Sequence, residues 1–219
     1  METGIWVFIH ILLLVFWLGT DLGVFILARA ARRADLSFPQ RAVLLQYAMV
    51  VDVIPRICLT ISFPVGLHLT ASMGYLSPPP VAFAAAWAIG LGWLGLLYAM
   101  HKAEGTPRQA RLSSLNLALQ GVLGVVVVGL GAASLAGVGP FTPGWLAWKV
   151  LLFGLIFPCA IMIDVEFRPM GPAFARLASE GSSPEVEAVI SRTVDRAIVW
   201  VLAIYALVLA IAFLGTVTP

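Results

Sequence analysis

Residues 5–28, IWVFIHILLLVFWLGTDLGVFILA, form an apolar run whose only ionisable side chains are His10 and Asp21. A helix needs about 20 apolar residues to cross roughly 30 Å of hydrocarbon, so this run is long enough to span a bilayer. Working outward, comparable stretches follow at Val43 to Ala71, Val81 to Met100, Leu115 to Val138, Trp145 to Ile163 and Ala197 to Val217. The first run has no basic segment ahead of it and outlasts a signal-peptide core, which predicts a retained helix. Over the 219 residues, 61% are hydrophobic and only 11% charged. A water-facing surface needs about 25% charged residues, so a soluble enzyme, a coiled coil and a disordered chain are all excluded. The fold expected is all-α: one polytopic transmembrane bundle of six helices, residues 1–219.

The basic residues orient the bundle. Arg29, Arg32, Arg33 and Arg41 follow the first span, Lys102, Arg108 and Arg111 follow the third, and Arg168, Arg176, Arg192 and Arg196 separate the fifth from the sixth. The loops at Ser72 to Pro80 and Gly139 to Gly144 carry no charge. Positive charge in short loops stays on the cytoplasmic side, which predicts both termini on the periplasmic face of a bacterial inner membrane. The net charge of +2 is small and dispersed, which argues against a nucleic-acid partner. In the long fifth connection, Ser183 followed by Pro184, Glu185 and Glu187 reads as a helix start, so the last helix is expected to begin before the bilayer. Gly121, Gly124, Gly129, Gly131 and Gly137 mark the fourth span as one that permits close helix packing and self-association.

Ionisable groups in hydrocarbon are costly, by roughly 2.5 to 3.5 kcal/mol on insertion scales, and each asks for a partner or a function. His10, Asp21, Asp52, Arg56, His68 and Lys149 are such groups. Counting about 1.5 Å of rise per residue, His10, His68 and Lys149 fall in one layer near the outer surface. Two imidazoles at one depth suit the axial ligands of a b-type haem, with Lys149 set to neutralise a propionate and Trp145 and Trp148 at the rim. The plainer reading gives each histidine one hydrogen bond to a neighbouring carbonyl, and lets Lys149 snorkel to the surface. Asp52 and Arg56, spaced i, i+4, are expected to pair, with Asp21 reaching Arg56 across the bundle, either as a helix lock or as a proton path or substrate anchor. Pro55 and Pro64 should bend the second span. His101 ends the third span beside Lys102, an ordinary place for a solvated histidine. Cys58 and Cys159 lie deep in apolar stretches and predict no disulfide. With His10, His68 and Met73 they offer soft ligands for an alternative, a copper transport or tolerance protein without haem.

The run His10-Ile-Leu-Leu-Leu-Val-Phe-Trp17-Leu-Gly19 before Arg29, Arg32 and Arg33, and the run Trp145-Leu-Ala-Trp-Lys149-Val-Leu-Leu, resemble the first and fifth helices of the copper resistance D and HemJ-type protoporphyrinogen oxidase superfamily. The Arg192 to Arg196 stretch resembles theirs more weakly. Gly19-Thr-Asp21, Asp52-Val-Ile-Pro-Arg56 and Phe63-Pro-Val-Gly-Leu-His68 mark a branch of its own within that superfamily. The resemblance implies a b-type haem with His10 and Lys149 at the positions of the essential histidine and lysine, and Trp17 beside the cofactor. The expected function is haem-dependent electron transfer, or oxidation of a membrane-soluble substrate of quinone or porphyrin-like chemistry, with a homo-oligomer or redox protein as partner. A purely structural membrane subunit is the remaining alternative.

Overall fold

A computed structural model describes residues 2–217, and every regular element in it is helical: α1 (Glu2–Ala31), α2 (Phe38–Ser72), α3 (Pro80–Lys102), α4 (Pro107–Leu135), α5 (Gly144–Glu166), α6 (Met170–Glu180) and α7 (Pro184–Val217). Six stretches, carried by α1 to α5 and by α7, are long and apolar enough to cross a membrane, and the chain is a multi-pass membrane protein. The spans sit where hydropathy placed them. α7 begins at Pro184, directly after Ser183, whose hydroxyl accepts the Val186 backbone N–H at 3.3 Å. α4 stops at Leu135, three residues before the expected end, and Gly137 at φ +79° turns the chain away.

The helices pack as unequal pairs. α1 lies along α2, α4 lies along α5, and α5 also supports α7, while α3 touches α2 and α4 only thinly. Along α4, alternate turns serve different ends. A Cβ at Gly124 would stand 2.9 Å from the Phe157 Cβ, and one at Gly131 would stand 2.5 Å from the Leu151 backbone nitrogen, whereas Gly121 and Gly129 face open space. From the other side, a Cβ at Gly154 would lie 2.7 Å from the Val128 nitrogen. Backbone approaches backbone at these positions because there is no side chain to hold it off, which is how helices gain dispersion contact where no hydrophobic effect drives them together.

The end of the bundle that carries the arginines is closed by a folded cap that hydropathy did not show. α6 buries Met170, Ala173, Phe174 and Leu177, an i, i+3, i+4, i+7 stripe, against Val186, Ile190 and Val194 of α7 and against Ala31. Arg41, read from sequence only as a mark of orientation, is 1% exposed here. Its Nε donates to the Ala31 carbonyl at 2.8 Å, which caps the end of α1, and its two terminal nitrogens donate to the Glu187 carboxylate at 2.7 and 2.9 Å. Its guanidinium also lies 5.7 Å from the centre of the Phe174 ring. One side chain thereby joins α1, α2, α6 and α7. Arg32 pairs with Asp195 and Arg196 with Glu166 around it. In the α1–α2 loop the Arg33 guanidinium holds the Asp35 carboxyl below its usual range, so that exposed pair persists until pH falls well into acid.

Gly154→Ala should lower the stability of the detergent-solubilised protein by about 1 to 3 kcal/mol, because the added methyl forces α5 off α4. Gly129→Ala, on the open face, should change it by less than about 0.5 kcal/mol. Thermal unfolding of the two variants side by side checks this, and equal effects would show that the α4–α5 contact is not close-packed.

Candidate functional site

The second helix carries both prolines without breaking. Pro64 has no N–H for the Thr60 carbonyl, and Gly90 of α3 packs against that same oxygen, a Cβ there standing 2.8 Å from it. This close crossing attaches α3 to α2. Toward the arginine-rich end, α3 stands away from α2 and leaves a cleft of about 830 Å³ between α2, α3, α4 and the end of α5. Met49, Val53, Leu91 and Tyr98 line it and are exposed on the bundle's flank, so it opens sideways into the apolar surface. His101 and Glu104, whose side chains approach to 3.8 Å, stand at its arginine-side mouth.

At the deep wall of the cleft lies a charge network. Arg56 Nε donates to Asp52 Oδ2 at 2.6 Å and Arg56 Nη2 to Asp164 Oδ1 at 2.9 Å. The Asp52–Arg56 pair is therefore the i, i+4 pair expected from spacing. The second partner is not Asp21, as the sequence led one to expect, but Asp164 of α5. Asp21 closes no hydrogen bond or ion pair to Arg56; it stands near it, with Tyr205 of α7 close by. The reason is reach: the Arg56 fork has α5 on one side and its own helix on the other, and both carboxylates lie nearer to it than α1 does. Asp164 also accepts, at longer range, from Asn116 Nδ2 at 3.4 Å and Gln120 Nε2 at 3.5 Å. Asn116 Oδ1 accepts from the Trp93 indole N–H at 2.8 Å. About a third of the Arg56 side chain faces open space and not protein.

Behind this wall a small chamber of about 70 Å³ is bounded by Asp21, Asn116, Gln120, Trp17 and Trp93, by the Asp52–Arg56–Asp164 network, and by apolar side chains for the rest. Cleft and chamber share Asp52, Arg56, Leu97, Asn116 and Asp164, so the ion pairs form most of a partition between them. Asp164, Asn116, Gln120, Trp93 and Tyr205 were missed from sequence. Asn116 and Gln120 did leave a signal, two amides at i, i+4 on an apolar helix. Asp164 sits one residue beyond the expected end of its span, where a carboxylate passes for a loop residue.

The histidines are held apart in role. His68 stacks on Trp6, centroids 4.2 Å apart at 10°, packs against Phe83 at 4.5 Å, and accepts the Trp87 indole N–H at Nε2 over 3.0 Å. The Nε2 lone pair is thus committed, and ligation through it requires breaking that bond. His10 lies against Gly66 of α2, and its buried Nδ1 has no hydrogen-bond partner. Lys149 is near enough to act on His10 electrostatically; its ammonium sits against Gly215 of α7 and 5.7 Å from the Trp145 ring. Of the expected layer, His10 and Lys149 remain available and His68 is engaged. Trp17 lines the inner chamber. Cys58 and Cys159 are free thiols buried in the apolar core, and Met73 is exposed. Among the described residues, no three His, Cys, Asp or Glu converge as a metal site would require. Compared with protein-family models, with curated proteins and with solved structures, the chain matches none.

Arg56→Met should cost about 3 kcal/mol in thermal or denaturant unfolding, since it leaves Asp52 and Asp164 facing one another in a low-dielectric wall. Asp164→Asn, which keeps an acceptor for Arg56, should cost about 1 kcal/mol. A loss below 1 kcal/mol for Arg56→Met would show that the network is solvated and not structural.

Proposed function

We propose that this protein binds a membrane-soluble substrate of quinone or porphyrin-like chemistry that enters sideways from the bilayer into the cleft between α2, α3 and α4. The observation that carries the reading is the join of a laterally open, apolar cavity of ligand size to one fixed guanidinium at its deep end. Arg56 uses one N–H each for Asp52 and Asp164 and has further N–H groups to donate to a carbonyl oxygen of the substrate. Asp52 and Asp164 hold that fork in place, so an incoming carbonyl meets an already oriented donor. The ring system of the substrate lies along apolar walls and needs no other polar recognition.

A redox role with a b-type haem is the second reading, supported by the unpartnered, buried Nδ1 of His10, by Lys149 beside it, and by the resemblance of helices one and five to a haem-binding superfamily. In it, His10 is the one protein ligand at hand, Lys149 neutralises a propionate, and the haem supplies one-electron chemistry. His68 stays bonded to Trp87 and orients α3. The arginine-rich end faces the cytoplasm of a bacterial inner membrane.

Gly95 lines the cleft and a side chain added there meets no atom within 4 Å. Gly95→Trp should therefore reduce labelling by a photoreactive quinone at least tenfold while leaving the melting temperature within about 2 °C. Labelling unaffected by Gly95→Trp, or not competed by unlabelled quinone, would sink the lateral-entry reading. For the haem, a dithionite-reduced minus oxidised spectrum of protein from haem-replete cells should show a sharp alpha band, lost in His10→Ala and retained in His68→Ala. A colourless wild-type protein rules the haem reading out.

A further inference from the structure

The chamber behind the Arg56 partition is too small for any quinone. At about 70 Å³ it holds a group the size of one or two waters. Its wall carries polar atoms that the fold leaves unanswered. Gln120 is only 3% exposed, and the approach of its Nε2 to Asp164 orients the amide, so its buried Oε1 points away from that carboxylate with no donor. Asp21 faces the same space without a guanidinium of its own, and the Tyr205 hydroxyl of α7 stands beside its carboxylate. Asp21, Asp52 and Asp164 together face a single cation, Arg56, which two of them already share. A buried acceptor without a donor and a carboxylate without a direct ion pair ask for the same thing, a positive group that brings N–H donors.

We infer that the chamber is a binding site for one small primary ammonium ion, ammonium itself or a methylammonium-sized amine, held by the Asp21 carboxylate and Gln120 Oε1. The site goes beyond the cleft reading and lies on the opposite face of the ion-pair partition. A bare alkali ion or a divalent metal wants a shell of several oxygens, and here most of the wall is apolar and no metal cluster forms among the described residues. An ammonium group needs fewer acceptors, each reached by one N–H, and gains from indole surface. Trp17 and Trp93, both bounding the chamber, supply that surface.

The test is thermal unfolding of the full chain in maltoside detergent at constant ionic strength, with methylammonium chloride titrated against sodium, potassium and tetramethylammonium chlorides. Methylammonium or ammonium should raise the melting temperature saturably, by about 4 °C at ten times its dissociation constant, and the other cations should not. Gln120→Met, which keeps the volume and removes the acceptor, should weaken the response about tenfold. Asp21→Asn, which keeps the shape and removes the charge, should abolish it, and it carries the test if Gln120→Met does not fold. Equal responses to all four salts, no response to methylammonium, or an unchanged titration in Asp21→Asn would overturn the inference and leave the chamber to water. Quinone labelling of the cleft does not depend on this outcome, so either reading can fail alone.

Discussion

A guanidinium keeps its charge even inside an apolar bundle and is costly there unless carboxylates pair with it, and the arrangement of this protein's arginine-rich half follows from that constraint on Arg56. Its two partners come from different helices, Asp52 on α2 and Asp164 on α5. Both helices must therefore present their charges at one level, and α4 must bring Asn116 and Gln120 to the second oxygen of Asp164. Replacing such a network by packed apolar residues is often neutral for stability. Its presence here divides the space between helices into two compartments, a large cleft on one face and a small chamber on the other.

The cleft lies where α3, held to α2 at the Gly90 crossing and to α4 through the Trp93–Asn116 hydrogen bond, stands away from α2 toward the arginine-rich end. Pro64 frees the Thr60 carbonyl, Gly90 lets α3 close on it, and below that point a Cβ at Gly92 or Gly95 of α3 would meet no neighbour within 4 Å. By contrast α4 and α5 meet through Gly124, Gly131 and Gly154 and leave no room between them. The tight pairs, together with the Arg41 clamp and α6, hold the walls while α3 forms the looser side, where the cleft opens on the apolar flank. His68, fixed between Trp6, Phe83 and Trp87, serves that same attachment from the far end of α3.

Local patterns were readable wherever one helix decides the outcome. The six spans, the Ser183–Pro184 helix start and the Asp52–Arg56 pair each depend on residues within a few turns of one another, and each was found as expected. Depth counting placed His10 and His68 in one layer but carried no information on what each ring faces, and Trp87 lies 19 residues from the histidine it engages. Asp21 was assigned to Arg56 for want of knowing that α5 stands closer. The stripe Met170, Ala173, Phe174 and Leu177 had the right period for α6 but lay in a segment read as a loop because it was not apolar enough to span.

The sequence by itself determined that this chain is a six-pass helical bundle with ionisable groups in its interior, because the cost of exposing polar backbone and charge to hydrocarbon acts on each segment independently of its neighbours. Which of those groups meet was decided only by the tertiary structure. Helix rotation and neighbour choice are set by small-residue contacts and by charges that find partners over a hundred residues away, as Arg56 does in Asp164 and Arg41 in Glu187. Those terms are sums over the whole packing and have no local signature in the chain.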